Sequence, residues 1–335
     1  MAIRVAVDAM GGDKAPSVVV EGAIHALEAS GDDLEVLLVG QEDALQAEIA
    51  QRKEVTDLLP LHIIHAPDVI AMDEAPAAAV KSKWGSSIHV GLGAVQEGRA
   101  HGFVSAGNTG AIMAASLFIL GSLQGVVRPS VVAFFPTTRG HCIILDVGTN
   151  VDCRPEHLLQ FAKMGSIYAS TVMQLENPRV ALVNLGEEAR KGNEQVKAAY
   201  KLLQASPDIH FCGNIEGRDI LHHMADVVVC DGFVGNILLK FGESVASAFP
   251  QMIAEEMERQ AFSDPNKKMV HDVLSAVRLR FSYEEYGGAP LLGVNGNVMI
   301  GHGGSTPRAI ERIILMAADV ARHGALEAMN KAFGK

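Results

Sequence analysis

The chain has 335 residues, a formal net charge of −11, 48% hydrophobic and 20% charged residues, which is typical of a globular protein with one large or two fused α/β domains. The acidic balance argues against a nucleic-acid surface, so an anionic ligand would have to be bound by a few local Lys, Arg and backbone N–H groups. The four cysteines lie far apart without a C-x-x-C pair, which favours buried reduced thiols in a cytosolic protein over disulfides or a metal site.

The first predicted strand, residues 3–8, begins without the basic and apolar segments of a targeting signal, which favours a cytoplasmic protein. Residues 103–127 carry no charge and are long enough to span a bilayer. Glycines and side-chain amides interrupt this segment, so its helical part shrinks to about 111–120. We predict a buried core helix there.

Strand and helix patterns alternate along the rest of the chain. The predicted strands are 3–8, 34–39, 61–65, 103–105, 131–135, 142–145, 180–184, 209–212, 227–230 and 298–300. The predicted helices are 17–29, 42–53, 75–83, 86–97, 111–120, 155–175, 193–205 and 306–333. This alternation predicts a Rossmann-like α/β fold with a mostly parallel sheet and helices on both faces.

One strand and the turn after it show how the loops are built. The apolar run 227–230 predicts a strand covered on both faces, and Asp231, Gly232, Gly235 and Asn236 punctuate the turn before the next helix. Loops at the carboxyl ends of parallel strands are where open α/β sheets bind ligands. A tight turn with Asp231 as a helix cap is the simpler interpretation of this stretch alone.

The same combination of glycine with Asn, Asp, Thr, Ser or Lys occurs at six strand ends. The six loops are residues 11–14, 106–110, 146–150, 186–193, 231–236 and 301–305. Glycine lets the backbone approach a ligand, and helix N-termini present unpaired N–H groups, so together they can form a site for phosphate or another oxyanion. We expect the six loops to converge at one edge of the sheet.

Several other chemistries lack their motif. The chain contains no G-x-G-x-x-G after a strand, no G-x-x-x-x-G-K-[ST], no G-x-S-x-G and no H-E-x-x-H, which argues against dinucleotide, P-loop, serine-hydrolase and zinc-protease sites. The thirteen histidines are scattered, and the adjacent His222 and His223 cannot face one ligand together. We predict no metal site.

Six short motifs stand at the glycine-containing loops. They are DAMGGDKAP (8–16), SAGNTGA (105–111), DVGTNVD (146–152), GEEARKGNE (186–194), DGFVGN (231–236) and GHGGS (301–305). In this order, over nearly the whole chain, they closely resemble the phosphate acyltransferases of bacterial phospholipid synthesis, the PlsX family.

The resemblance implies an enzyme that transfers an acyl chain from acyl carrier protein to inorganic phosphate and needs no metal, nucleotide or other cofactor. It also implies a homodimer with a fold like that of phosphotransacetylases and isocitrate or isopropylmalate dehydrogenases, attached peripherally to the inner face of the cell membrane. The acyl phosphate would feed a membrane-embedded glycerol-3-phosphate acyltransferase. By the same resemblance, Lys191 is the catalytic lysine and Asn236 the catalytic asparagine.

Elementary chemistry agrees with this reaction. Phosphate at neutral pH is already an oxyanion nucleophile, so attack on a thioester requires positioning and stabilisation of the tetrahedral oxyanion rather than a Ser–His pair. Lys191 in a Gly-rich loop suits a phosphate anchor, although a solvated surface lysine is the more common case outside such a motif. Asn236, at a helix start, can orient phosphate or donate to the thioester oxygen.

The other candidate substrate- and phosphate-binding residues belong to the same six loops. They are Gly12, Asp13, Lys14, Gly107, Asn108, Thr109, Asp146, Asn150, Asn193, Asp231, Gly232, Gly235, His302, Gly303 and Ser305. For Asp13, Asp146 and Asp231, capping a helix or orienting a neighbouring lysine is an equally good interpretation.

Residues 243–286 break the alternation, and we predict a helical hairpin inserted into a single α/β domain of residues 1–335. Each helix carries one apolar stripe. The candidate contact residues on the two stripes are Phe249, Ile253, Val273, Leu274 and Val277. The stripes could pack on each other and across a dimer seam, or the hairpin tip could rest on a membrane with the help of nearby basic side chains.

Two alternative functions stay open at this stage. A coenzyme A-dependent phosphotransacetylase would share the fold and differ in its thiol carrier, so assays with both acyl donors would separate the two enzymes. A non-enzymatic membrane scaffold of lipid synthesis would show no phosphate-dependent release of carrier-protein thiol.

Overall fold

The computed structural model describes residues 2–52, 56, 58–281 and 283–334. The chain divides into two compact units. Unit 1 takes the stretches Met1–Val132, Lys163–Asn177 and Tyr286–Lys335, and unit 2 takes Ala133–Ala162 and Pro178–Glu285. Each unit is built around its own sheet.

Strands and helices alternate along the chain, as the sequence predicts. The first part contains β1 (Ile3–Asp8), α1 (Ser17–Ser30), β2 (Leu34–Gly40), α2 (Glu42–Ala50), β3 (Leu61–His65), α3 (Pro76–Ser82), α4 (Ser87–Gln96), β4 (Gly102–Ser105), α5 (Thr109–Ile119), β5 (Ser130–Val131), β6 (Ala133–Thr137), β7 (Gly140–Leu145) and α6 (Pro155–Thr171). The second part contains β8 (Arg179–Val183), α7 (Glu194–Gln204), β9 (His210–Ile215), β10 (Val227–Val229), α8 (Gly232–Arg259), α9 (Asp264–Arg280), α10 (Tyr283–Tyr286), β11 (Ala289–Leu292), β12 (Val298–Ile300), α11 (Pro307–Arg322) and α12 (Ala325–Phe333).

Both sheets are mostly parallel. The sheet of unit 1 has the order β3-β2-β1-β4-β12-β11-β5, in which β11 runs antiparallel to both of its neighbours. The sheet of unit 2 has the order β6-β7-β10-β8-β9, and its edge strand β6 is antiparallel to β7. The predicted α/β class with a mostly parallel arrangement is therefore confirmed.

The central strands consist mostly of apolar residues, and these are buried. Every residue of β4 and β10 is buried, as expected for strands that are covered on both faces. In unit 1, helix α11 buries one stripe at helical spacing that includes Ile310, Ile313 and Ile314. It lies close to α1, because a Cβ on Gly22 would be 2.5 Å from the Cβ of Ile310.

The structure corrects three expectations about the elements. The sequence predicts one sheet, whereas the described residues form two, because the alternation of elements does not determine which strands pair. The predicted helix 306–333 is interrupted by Gly324, whose φ of 64° separates α11 from α12. The pattern misses β11, which has only four residues and contains Pro290.

The four cysteines are free thiols. Cys142 and Cys230 are buried as predicted, and burial raises the pKa of the Cys142 thiol to about 12. Cys153 is half-buried and Cys212 is exposed, so the prediction of buried thiols is wrong for Cys212. Its strand β9 lies at the edge of the sheet that the described residues form.

The uncharged segment after β4 contains α5. This helix buries Ala111, Ile112 and Ala115, while the side chain of Phe118 is 63% exposed. The prediction of a buried core helix is therefore right for one face only. None of the helices formed by the described residues combines the length and the apolar composition that a bilayer span needs.

Candidate functional site

In unit 2, three loops follow β7, β10 and β8, which are neighbouring parallel strands. The predicted loops are residues 146–150, 231–236 and 186–193, at or shortly after the carboxyl end of each strand. In the second of them only Asp231 precedes helix α8, which begins at Gly232 and includes Asn236. Since adjacent strands lie about 4.8 Å apart, the three loops stand side by side at one edge of this sheet. Two of them carry the predicted catalytic residues Lys191 and Asn236.

Asp146 shapes the first of these loops from inside. Its buried carboxylate accepts hydrogen bonds from the Val147 N–H at 2.9 Å and from the Asn150 side-chain amide at 3.0 Å. Between them, the N–H groups of Gly148 and Thr149 have no partner among the described residues. The loop therefore presents two available donors on a backbone that is fixed by hydrogen bonds.

Helix α8 begins directly against this loop. Asp231 caps the helix by accepting the N–H three residues further on at 2.8 Å. The Gly232 N–H donates to the Asn150 carbonyl at 2.8 Å. A Cβ on Gly235 would lie 1.8 Å from the carbonyl oxygen of Asp146, so this close approach of helix and loop requires glycine.

Asn236 lies in the first turn of α8 and is exposed. It faces Gly148, because a Cβ on that glycine would be 3.5 Å from the Asn236 Oδ1. Gly148 has a φ of 131°, which an L side chain rarely adopts. No described residue forms a hydrogen bond with the Asn236 side-chain amide, so a ligand beside Gly148 can reach it.

The loop that carries Lys191 is held by two side-chain amides. Asn184 Nδ2 donates to the Lys191 carbonyl at 3.1 Å, and Asn214 Nδ2 donates to the Glu188 carbonyl at 3.2 Å. The loop ends where Asn193 caps α7. Lys191 itself is exposed, and its ammonium has no hydrogen-bond or ion-pair partner in the described part of the chain. A fixed backbone with an unpaired cation suits an anion anchor.

Unit 1 repeats this arrangement on its own sheet. The loops 11–14, 106–110 and 301–305 follow β1, β4 and β12, which are again neighbouring parallel strands. The expectation that all six loops converge at one sheet edge is therefore wrong, because each sheet carries three of them.

Asp8, which is not among the predicted site residues, holds two loops of unit 1 together. Its carboxylate accepts from the Ser105 hydroxyl at 2.6 Å and from the Met10 N–H at 3.1 Å, and the Ser105 hydroxyl oxygen accepts from the Gly107 N–H at 3.1 Å. Burial raises the pKa of Asp8, and the hydrogen bond from Ser105 opposes that increase. In the sequence, this role of Asp8 and Ser105 is marked only by their position, since each is the polar residue that ends an apolar strand.

Two predicted binding residues of unit 1, Asn108 and Ser305, use their side chains to bind backbone groups of the surrounding loops. Asn108 Oδ1 caps α5 by accepting the Ala111 N–H at 3.1 Å, and its Nδ2 donates to three carbonyls within residues 71–74. The Ser305 hydroxyl donates to the His302 carbonyl at 2.6 Å. Both side chains are buried, so they stabilise the loops from within.

Other predicted residues of unit 1 face solvent. Asp13, Lys14, Thr109 and His302 are exposed, and the Lys14 ammonium has no partner among the described residues. His302 Nδ1 accepts the N–H of Gly304 at 3.1 Å.

This chain, with its two α/β units, has the fold of the phosphotransacetylases. The EutD phosphotransacetylase from Staphylococcus aureus matches with a TM-score of 0.62 and 17% identity over 96% of this chain and 94% of that one. A phosphotransacetylase from Streptococcus pyogenes matches with a TM-score of 0.63 and the same identity and coverage. At this identity, the likeness shows the fold alone.

Sequence relatives define the family within that fold. A family described as fatty acid synthesis protein matches residues 3–328. A phosphate acyltransferase of Salinibacter ruber is 54% identical over 99% of this chain and 98% of its own length, and one of Heliobacterium modesticaldum is 49% identical over 94% and 93%. The chain belongs to the phosphate acyltransferase family, which confirms the resemblance of its six motifs.

Proposed function

We propose that this protein transfers a fatty acyl group from acyl carrier protein to inorganic phosphate and so forms acyl phosphate for phospholipid synthesis. The protein is an acyltransferase, and phosphate is its acceptor. The observation that carries the proposal is that Lys191 and Asn236, whose side chains have no partner among the described residues, follow neighbouring strands of the unit 2 sheet, and that Asn236 faces Gly148, whose N–H is available. A coenzyme A-dependent phosphotransacetylase is not favoured, since the sequence relatives at 54% and 49% identity are phosphate acyltransferases, whereas the phosphotransacetylase structures are only 17% identical to this chain.

The proposed step needs no nucleophilic side chain. An oxygen of hydrogenphosphate attacks the thioester carbonyl carbon, so that a C–O bond forms and the C–S bond breaks. The leaving thiolate takes up the proton of hydrogenphosphate, and the products are acyl phosphate and the carrier thiol. Lys191 binds and orients the phosphate, while the Asn236 amide and the Gly148 N–H stabilise the tetrahedral oxyanion.

The proposed function is tested by measuring the release of the carrier-protein thiol. Purified protein is incubated with acyl-acyl carrier protein over a range of phosphate concentrations, and thiol and acyl phosphate are measured together. We expect equal amounts of both products, formed only with phosphate. Thiol release without phosphate would indicate a thioesterase, and no release would favour a non-enzymatic scaffold. The same assay with acyl-coenzyme A tests the phosphotransacetylase alternative.

We further propose that the protein acts as a cytoplasmic homodimer, peripherally attached to the membrane, and supplies acyl phosphate to a glycerol-3-phosphate acyltransferase. Helices α8 and α9, which pack against each other, offer a contact surface. Phe249, Val273 and Val277 are 57%, 59% and 47% exposed, while Ile253 and Leu274 are half-buried. This row of exposed apolar side chains supports a further contact.

Charge contributes less to this surface than the sequence suggests. The Lys267 ammonium binds Glu258 at 2.7 Å, and that of Lys268 binds Asp272 at 2.9 Å. Arg280 donates to the Thr137 carbonyl at 2.6 Å. Because these cations already have partners, the membrane proposal depends on the apolar residues.

Val273→Glu combined with Val277→Glu is expected to lower binding to phospholipid vesicles about tenfold or more, because two carboxylates would have to enter the lipid interface. Co-sedimentation with vesicles measures the change. The matched control is Gln204→Glu with Ala205→Glu, which adds the same charge at exposed positions around the end of α7. Unchanged vesicle binding together with a loss of dimer in size-exclusion chromatography would assign the surface to the dimer instead.

A further inference from the structure

Strand β9 of unit 2 contains a bulge directly before Asn214. Val180 of β8 pairs with Phe211 of β9, and Leu182 pairs with Asn214, so β9 has one residue more than β8 over this stretch. Gly213 lies in the bulge with a φ of 101°, a backbone conformation that side chains other than glycine rarely adopt. The bulge therefore depends on this glycine.

The bulge turns the Asn214 side chain into the interior. Residues two apart in a regular strand share a face, so Asn214 would point to the same side as Cys212, which is exposed. Asn214 is instead only 7% exposed. Its Nδ2 donates to the carbonyls of Glu187 and Glu188 at 3.4 and 3.2 Å. Both carbonyls belong to the loop that carries Lys191, so the strand holds this loop from within unit 2.

The Glu188 carbonyl connects the Asn214 amide to Lys191. It accepts a second hydrogen bond, from the Lys191 backbone N–H at 3.0 Å. The Lys191 stem then passes over Gly186, because a Cβ on that glycine would lie 3.2 Å from the Lys191 Cγ. The Asn214 amide thus fixes the backbone from which the Lys191 side chain extends.

Half of the Asn214 amide has no partner. Its Oδ1 is buried and accepts no hydrogen bond from the described residues. A buried acceptor without a donor lowers the stability of the fold, and an apolar side chain of similar shape avoids this penalty. Strand stability therefore does not account for an amide at this position, whereas its bonds to the loop do.

Resting on the proposed function, we infer that Asn214 is a positioning residue for Lys191. Its amide holds the loop backbone, and through it the Lys191 ammonium, in the place where the ammonium binds inorganic phosphate. Gly213 contributes to the same function, because it forms the bulge that turns Asn214 inward. Both residues act through Lys191 and take no part in the chemical step.

The test is a double-mutant cycle of Asn214→Leu and Lys191→Ala. Asn214→Leu is expected to lower kcat/KM for inorganic phosphate about tenfold, with the KM for acyl-acyl carrier protein within about twofold. Its denaturant midpoint should not fall, since the substitution also removes the unpaired Oδ1. In the Lys191→Ala background, Asn214→Leu should change kcat/KM by less than about twofold, because no ammonium is left to position.

Asn297→Leu is the matched control. Asn297 of unit 1 is also buried, its Oδ1 also lacks a partner among the described residues, and its Nδ2 also donates to two carbonyls, those of His101 and Ala317, at 3.4 and 2.7 Å. Neither carbonyl belongs to the loop of residues 186–193. The folded Asn297→Leu protein should therefore keep kcat/KM for phosphate within about twofold.

Gly213→Ala tests the bulge and leaves the amide in place. An added Cβ would meet no atom within 4 Å, so only the φ of 101° opposes it. We expect a fall in kcat/KM of about tenfold here too, again absent in the Lys191→Ala background. Gly140→Ala is the control, because Gly140 has a φ of 117° and equally open surroundings at the amino end of β7, and it should keep its activity.

Hydrogen exchange of the backbone gives a readout that does not depend on turnover. Exchange within residues 186–193 should be faster in Asn214→Leu and Gly213→Ala than in the original protein, and unchanged in the two controls. Original kinetics in Asn214→Leu, or an equal loss of activity with and without Lys191, would overturn the inference. The absence of acyl phosphate with the unaltered protein would instead show that the proposed function fails, and this inference with it.

Discussion

Lys191→Ala and Asn236→Ala are each expected to lower kcat/KM for acyl transfer to phosphate by roughly 10² or more, the typical effect of removing one transition-state donor. Both side chains are exposed and have no partner among the described residues, so their removal breaks no contact that stabilises the fold. A loss of activity therefore reports on ligand binding or catalysis. Steady-state kinetics with acyl-acyl carrier protein and varied phosphate measures it.

Arg190→Ala provides the control, because Arg190 is the neighbouring exposed cation on the same loop. It should keep kcat/KM within a few-fold, since its side chain is not part of the proposed site. Unfolding temperatures of all three variants should match that of the original protein. Near-normal turnover of either folded alanine variant would remove that residue from the mechanism.

Gly235→Ala is expected to destabilise the protein by about 2–3 kcal/mol and to abolish most activity. The added methyl group would lie 1.8 Å from the carbonyl oxygen of Asp146, so helix α8 has to move away from the loop that it packs on. The gain in helix propensity from glycine to alanine is only about 1 kcal/mol, so the clash determines the sign. Because Asn236 is the next residue, the displacement also moves the proposed oxyanion donor.

Gly93→Ala is the matched control for this substitution. Gly93 lies in helix α4, and a Cβ there would meet no atom within 4 Å. This variant should be as stable as the original protein or slightly more stable. Denaturant titration of both variants gives the comparison, and a Gly235→Ala protein with unchanged stability and activity would contradict the packing described here.

The strands and the glycine-rich loops could be predicted because their causes are local. A run such as Val227–Val229 is apolar throughout since both of its faces are covered, and this leaves a direct trace in the sequence. The pairing of strands depends on contacts between distant segments. For that reason the sequence places the six glycine-containing segments at strand ends but does not divide them between two sheets, and it starts helix α8 too late, since residues 232–236 of the predicted loop are already helical.

The polar residues of the loops give a less specific signal. Asn108, Asn193 and Asp231 each accept a backbone N–H at the start of a helix, so their side chains are already engaged. Helix capping and ligand binding favour the same residue types at the same positions. The sequence pattern alone therefore cannot separate the two roles.

Backbone donors, and side chains that stabilise a loop from a distant part of the chain, leave even weaker signals in the sequence. The N–H groups of Gly148 and Thr149 are available because hydrogen bonds to Asp146 fix the loop around them, and a backbone N–H leaves no residue-type signal of its own. Asp8 acts through Ser105, which lies 97 positions further along the chain. Only the folded structure brings these groups together.

The burial of two cysteines determines how turnover can be recorded continuously. Cys142 and Cys230 keep their protons far above neutral pH and lie inside unit 2, so a chromogenic disulfide reagent that detects free thiolate will not titrate them in the native protein. Cys212 on the edge strand is exposed, and partial burial of its thiol raises its pKa, so it reacts slowly and contributes to the optical baseline. A Cys212→Ser protein, in which the half-buried Cys153 is the remaining contribution, would thus let the same cuvette follow the carrier sulfur as it is released.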